Sequence, residues 1–338
     1  MTLVGLLLGA VIAGAAVFAF LNGFRDVSSA VALSVRTRAL TPTIAVLLAG
    51  LFNCLGALVS VTLTAAFAGR IIVLPPGRGG LILLLAALVS ACLWGIHQWR
   101  GGYPSSSTHA LIGGLLGASL GSALLGHAPL QGIDTMLLSL VVLPLLLSPV
   151  VAYILGFAAV YPSAWAARNS APNRVNRRTR QLQSVAGAAV AFGHGLQDGQ
   201  RTTAVLTLAL LAAGVGAAGD MPLWVPIFTA TLLTVGTLFG GWRISYTMGN
   251  RLVRIDPLRG NAAQLVGAGL LFVGAIGLAL PLSTTHTVTS AIAGAGRNQK
   301  FPGTNGPVMA RIVGMWLATP VACALLGAVF YLALSPLG

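Results

Sequence analysis

"FLNGFRDVSS", residues 20–29, starts as membrane helix and then sets Asn22, Arg25 and Asp26 within five positions. "FGHGLQDGQR", residues 192–201, repeats its pattern: Phe, any residue, a polar residue, Gly, an apolar residue, a polar residue, Asp. A second pair of elements follows, "PSSSTH" (104–109) and "PLSTTH" (281–286). The interval from Asp to His is 83 residues in the first half (26 to 109) and 88 in the second (198 to 286). Gly117 and Gly294 each follow that His by eight positions. The chain is duplicated, and the duplicated parts are polar residues inside apolar runs.

Those runs set the class. Of 338 residues, 56% are hydrophobic and 7% charged, with a mean hydropathy of +0.90. Apolar stretches of about 20 residues recur, enough to cross a hydrocarbon core of about 30 Å. The reading is an all-α polytopic membrane protein. Residues 1–20 lack the basic start of a signal peptide and read as the first span. The net charge of +14 has its source in the basic bias of cytoplasmic loops rather than in nucleic-acid binding. Cys54, Cys92 and Cys323 lie in apolar runs without metal-ligand spacing and read as buried thiols. The five acids are all Asp, and the absence of Glu excludes an HExxH metalloprotease.

Hydropathy and punctuation place ten segments: 3–34, 41–66, 81–99, 105–126, 134–165, 184–218, 222–242, 261–281, 283–296 and 308–334. "RNSAPNRVNRRTRQ" (168–181), with five Arg and no acid, separates them into halves. The expected organisation is a first repeat over 1–165, a basic cytoplasmic linker over 166–183 and a second repeat over 184–338. With the linker inside, fifteen basic residues fall on the cytoplasmic side, and only Arg70 and Arg78 fall outside. Both termini are then external. Five crossings per half put the halves in opposite orientation, the signature of alternating-access carriers with a site at broken helices near the midplane.

Asp26 and Asp198 are the sharpest functional signal, because a carboxylate within a membrane costs several kcal/mol unless it is paired or used. Gly23 and Gly195 are expected to let the helix unwind beside them. "PSSSTH" and "PLSTTH" put Pro at a helix start and hydroxyls over its first turn, so that free N–H groups and the positive dipole end face an anion. One copy alone would be routine capping; two at equivalent positions read as anion cradles. His194, inside the second Asp motif, is a site candidate. His109 and His286 could contact the anion, carry a proton or bond a carbonyl, and His97 and His127 read as interfacial. A membrane hydrolase built on Ser, His and Asp lacks a G-x-S-x-G elbow and has no need of paired motifs. A channel or a non-transporting scaffold is the third reading.

At these residues the chain resembles the PiT-type inorganic phosphate transporter family, whose hallmark is a duplicated GxND signature, each copy followed by P-x-S-x-T-H. "NGFRDVSSAVALSVRTRALTP" (22–42) is similar to the first signature and "HGLQDGQRT" (194–202) to the second. The resemblance implies a sodium- or proton-coupled symporter that imports phosphate across the cytoplasmic membrane, with no other cofactor. It makes Asp26, Asp198, Ser105, Ser106, Ser107, Thr108, Ser283, Thr284 and Thr285 candidates for phosphate or ion contact, with Arg25 and Gln197 at the signature Asn positions. Asn22, Ser29, His194, Gln200, Arg201, His109 and His286 are expected around them. The family pattern puts sodium near Asp26 and Asp198, yet Arg25, Gln197, Ser29 and Arg201 stand where it has other residues, and Arg has donors only. Arg25 is therefore expected to supply a fixed charge, paired with Asp26 or forked onto the anion. A phosphate that still carries a proton can donate to a carboxylate, whereas sulfate cannot; the added Arg weakens that discrimination, so sulfate or another oxyanion is the alternative substrate. The partners expected are phosphate and the lipid bilayer, with no nucleic acid and homo-oligomerisation left open.

Overall fold

The computed structural model describes residues 2–60, 74–127, 142–216, 221–278, 280–299 and 303–338. The end of segment 41–66 and the start of 134–165 lie outside the described residues, as do Arg70 and Asp134.

The first half forms α1 (Leu3–Asp26), α2 (Ser28–Arg36), α3 (Pro42–Val59), α4 (Arg78–Gly101), α5 (Ser107–Leu124) and α6 (Leu143–Ala167). The second forms α7 (Pro172–Ala212), α8 (Trp224–Phe239), α9 (Trp242–Tyr246), α10 (Pro257–Phe272), α11 (Thr284–Arg297) and α12 (Gly306–Leu334). Side-chain caps start many of them: Thr41 accepts from the Ile44 amide, Asp256 from Arg259 and Asn305 from Val308, each with Pro in the first turn. A left-handed Gly102 at φ 69° ends α4.

Among the described residues, six helices are long and apolar enough to cross a membrane, and α8 with the helical stretch 242–251, bent by 56°, makes a seventh. By contrast α11, at 14 residues, reaches only about 21 Å, short of a hydrocarbon core. It begins inside the protein, as does its counterpart α5. Large apolar side chains such as Leu47, Ile154 and Leu325 lie exposed on the outside, where lipid covers them.

Helix pairing follows the duplication. Counterparts are α1 and α7, α3 and α8, α4 and α10, α5 and α11, α6 and α12. Within each half, the first helix packs on the fourth and the fourth on the fifth: α1 on α4 on α5, and α7 on α10 on α11. Between halves, α1 packs on α8 as α7 packs on α3, and α5 packs on α12 as α11 packs on α6. Each cross-pair has its mirror, as two equivalent repeats require.

Glycines set these crossings and correct one expectation. Neither Gly23 nor Gly195 unwinds its helix: α1 runs on to Asp26 and α7 is continuous over 41 residues. Instead a Cβ at Gly23 would run into the Leu233 carbonyl on α8, and one at Gly195 into the Asn53 carbonyl on α3. Gly117 and Gly294 do the same at the other crossings, against Ala324 and Tyr153. Small residues let the backbones approach. The first-half break falls at Val27, where the Ser28 hydroxyl donates to the Arg25 carbonyl at 2.8 Å. α7 begins at Pro172 and carries most of the basic stretch 168–181 as exposed helix.

Candidate functional site

The duplicated motifs converge. Asp26 ends α1, while Asp198 lies mid-way along α7; both are buried. Between them stands Ser107, at the start of α5, whose hydroxyl, with one proton to give, lies within donating reach of Asp26 Oδ2 (3.4 Å) and of Asp198 Oδ2 (3.5 Å). The first half's cradle thus serves the carboxylates of both halves.

Arg201 supplies the dominant charge. One turn beyond Asp198, and 2% exposed, it donates through Nη2 to Asp198 Oδ1 at 2.5 Å. Its Nη1 reaches Thr108 Oγ1 and, at 3.3 Å, Ser107 Oγ, while Nε donates to the Gln197 carbonyl at 2.9 Å. Arg25 plays a different part from the one expected of it: it forms no ion pair with Asp26 among the described residues. Its Nη2 donates to the Ser105 carbonyl at 3.1 Å, in space left by Gly95, where a Cβ would meet the guanidinium. Gln197, at the matching position of the second half, lies 3.4 Å from both the Leu280 carbonyl and the Leu282 amide. Arg25 and Gln197 are therefore equivalent braces, each holding the entry to a Ser/Thr half-helix.

His194 closes the cluster, with Nε2 3.4 Å from Asp198 Oδ2. Its tautomer follows from a chain of donors. The Thr237 hydroxyl donates to the Leu233 carbonyl (2.9 Å) and so accepts from Asn53 Nδ2 (2.7 Å). That leaves Asn53 Oδ1 to accept from His194 Nδ1 at 3.0 Å. A neutral His194 then points a lone pair at a carboxylate, and a proton on Nε2 turns that opposition into a charge-assisted hydrogen bond.

At the half-helix starts, Ser106 and Ser283 cap, each accepting at 3.2 Å from the amide of the His three residues on. Thr285 and Gln200 are buried in the same region. Asn22, the Ser29 hydroxyl and the Thr284 hydroxyl are buried with no hydrogen-bond partner among the described residues. His109 and His286 face each other, rings stacked at 4.7 Å, rather than Asp26 or Asp198. Asn53 and Thr237 went unread in the sequence. Their only signal was a lone amide and a hydroxyl in apolar runs.

Asp26, His194 and Asp198 could each offer one ligand atom, all within 4.8 Å of one another. Within that set the Asp198 oxygens are already engaged. A hard cation seeks free oxygens, whereas Asp198 Oδ1 is taken by Arg201 and its Oδ2 faces His194. Guanidinium donors cannot ligate.

Paired carboxylates, fixed cations and two Ser/Thr half-helix starts, buried in a duplicated helical bundle, define a membrane carrier of small anions. The chain belongs to the phosphate transporter family, whose profile matches residues 22–327. It is 34% identical over 319 residues to a probable low-affinity inorganic phosphate transporter of Bacillus subtilis, covering 94% of each chain. A protein of the same description from Rhizobium meliloti is 36% identical over 328 residues, covering 97% of this chain and 96% of its own. Among solved structures, a sodium-dependent phosphate transporter superposes with a TM-score of 0.81 at 22% identity, covering 98% of this chain and 99% of that one. These relatives are transporters, not enzymes.

Proposed function

We propose that this chain is a proton-coupled importer of inorganic phosphate in the cytoplasmic membrane, with both termini outside. The supporting observation is the charge balance of the centre. Arg25 and Arg201 match Asp26 and Asp198, so the buried cluster is neutral without any added ion. A phosphate monoanion then brings one uncompensated negative charge, and burying it requires one positive charge. A proton on His194 provides it, next to Asp198 and held in register by Asn53.

In this reading the anion binds where the half-helix starts direct N–H groups and hydroxyls, with Thr284 among the donors. Asp26, whose one side-chain hydrogen bond among the described residues is a long one from Ser107, accepts a hydrogen bond from a phosphate hydroxyl. That acceptor selects a protonated anion over sulfate. Movement of one set of crossings against the other then opens the site to the opposite side.

Counterflow of labelled phosphate in proteoliposomes tests the proposal. Unlabelled phosphate trapped inside should draw label in, trapped sulfate should not, and His194→Gln should exchange phosphate yet fail to accumulate it against a gradient. Equal counterflow with sulfate, or normal accumulation by His194→Gln, would count against it.

A further inference from the structure

The break after α8 carries a cluster of charge that the transport site leaves unused. Up to this break α8 faces lipid, with Leu238 46% and Phe239 65% exposed. Beyond it, in the helical stretch 242–251, Trp242, Arg243, Tyr246 and Arg251 face outward while Ile244 and Met248 face the core. Exposed Trp and Tyr next to an apolar run mark the level of the membrane–water interface. This is the end of the bundle that the proposed orientation puts in the cytoplasm. An open cleft of about 420 Å³ lies here, walled by Arg100 and Gly102 after α4 and by Trp242, Arg243, Tyr246 and Arg251.

Three arginines thus share one cleft, and among the described residues none of them has a carboxylate partner. Charge bias alone scatters arginines over this face, as along the exposed start of α7. Here they are held in place. Arg243 lies over the Trp99 ring at 5.1 Å and donates to the Arg100 carbonyl at 3.3 Å, and Arg251 lies over Tyr246 at 5.3 Å. The cleft also joins the two halves. A Cβ at Gly102 would press on the Thr247 hydroxyl and the Arg243 carbonyl, so the end of α4 sits directly on the stretch 242–251. Gly241 seats the break on the carbonyls of Phe24 and Arg25 in the same way, and Trp99 packs on Phe24 at 5.2 Å. Arg243, Trp99 and Phe24 connect the cleft to the end of α1 that bears Asp26.

We propose that this cleft binds the phosphate of an anionic phospholipid headgroup, with the acyl chains along the apolar surface of Leu238 and Phe239. Guanidinium forks match phosphate oxygens, and basic pockets between spans on the cytoplasmic side suit anionic headgroups. A choline headgroup would bring a quaternary ammonium beside three like charges and lose much of the attraction. Free phosphate could meet the same arginines, but it has nothing to lay on the lipid-facing surface. The bound lipid ties the end of α4 in one half to the break after α8 in the other. It steadies the contact against which the halves move, and the faster transport expected with it rests on the transport reading above.

Native mass spectrometry of the detergent-purified protein, titrated with phosphatidylglycerol or with phosphatidylcholine, is the test. Phosphatidylglycerol should be retained at a saturable site, and phosphatidylcholine should not. Arg251→Gln should weaken that retention about fivefold, and Arg100→Gln/Arg243→Gln/Arg251→Gln about a hundredfold, the scale of one headgroup contact per arginine. Arg174→Gln/Arg177→Gln/Arg178→Gln removes the same charge from the start of α7 and should leave retention unchanged. All six arginines are exposed, so folding is little at risk. Equal retention of the two lipids, or equal losses in the two triple variants, would overturn the site. Inorganic phosphate should displace no more phosphatidylglycerol than sodium chloride does at the same ionic strength. Greater displacement by phosphate would make the ligand a free anion and overturn the lipid assignment. Phosphate counterflow should be faster in vesicles containing phosphatidylglycerol than in pure phosphatidylcholine, and the triple variant at the cleft should lose that difference. Lipid retained with no such difference would leave the site standing and overturn its hold on transport. Retention needs no transport, so failure of the site and failure of the transporter reading are separable.

Discussion

Replacing Arg201 with Gln probes the built-in cation directly. Arg201 and Asp198 are 2% and 1% exposed, so removing the guanidinium strands a carboxylate in the protein interior. Breaking a buried pair from one side costs about 3–5 kcal/mol. Asp198→Asn should cost less, because Arg201 keeps acceptors in the Gln197 carbonyl, Ser107 and Thr108. The double variant removes both charges and should be more stable than the sum of the singles implies, with a coupling of about 2 kcal/mol, near the top of the usual range for contacting residues. Unfolding of the four proteins in detergent measures this cycle. A further arm reads function: the bare carboxylate in Arg201→Gln can accept a small cation. At 100 mM sodium and a dissociation constant of about 10 mM, binding would add about 1.4 kcal/mol, which the wild type should not show. Additive single effects within about 0.5 kcal/mol, or equal sodium stabilisation of the wild type and Arg201→Gln, would refute the reasoning.

Other expectations follow from the same geometry. Gly195→Ala should destabilise by about 1–3 kcal/mol, since its Cβ meets the Asn53 carbonyl; Gly9→Ala, with open space around it, should stabilise by up to about 1 kcal/mol; paired thermal melts compare them. Asn53→Leu removes the acceptor that fixes His194, and proton-driven uptake should fall about tenfold, the scale of a 1.4 kcal/mol hydrogen bond, while phosphate counterflow persists. Ser106→Ala and Ser283→Ala each remove an N-cap and should cost about 1 kcal/mol of stability by the same assay, with equal effects at the two positions marking the equivalence of the halves.

Much of this was legible in the sequence because duplication marks it. A polar motif that occurs twice at equal spacing identifies both the repeat and the centre, and Asp26, Asp198, Ser107 and Thr108 do meet there. What the sequence hid depends on three-dimensional packing. Gly23 and Gly195 look like helix breakers in one dimension, yet they are contact points whose partners, Leu233 and Asn53, lie on the opposite half. Arg25 drew attention by standing next to Asp26, but neighbours in a helix point in different directions. The guanidinium that reaches a carboxylate is Arg201, three residues after Asp198, a spacing that places both on one face. Asn53 gave no motif at all, and its role depends on a hydrogen-bond chain running through Thr237 from another helix.

The central claim is that fixed guanidinium groups take the place of a bound ion and that a proton is the coupled species. The most direct measurement is phosphate accumulation in proteoliposomes with the proton and sodium gradients set independently. An inward proton gradient should drive accumulation at any sodium concentration, and an inward sodium gradient at equal pH should drive none. Accumulation that follows the sodium gradient, with Arg25 and Arg201 intact, would contradict the account.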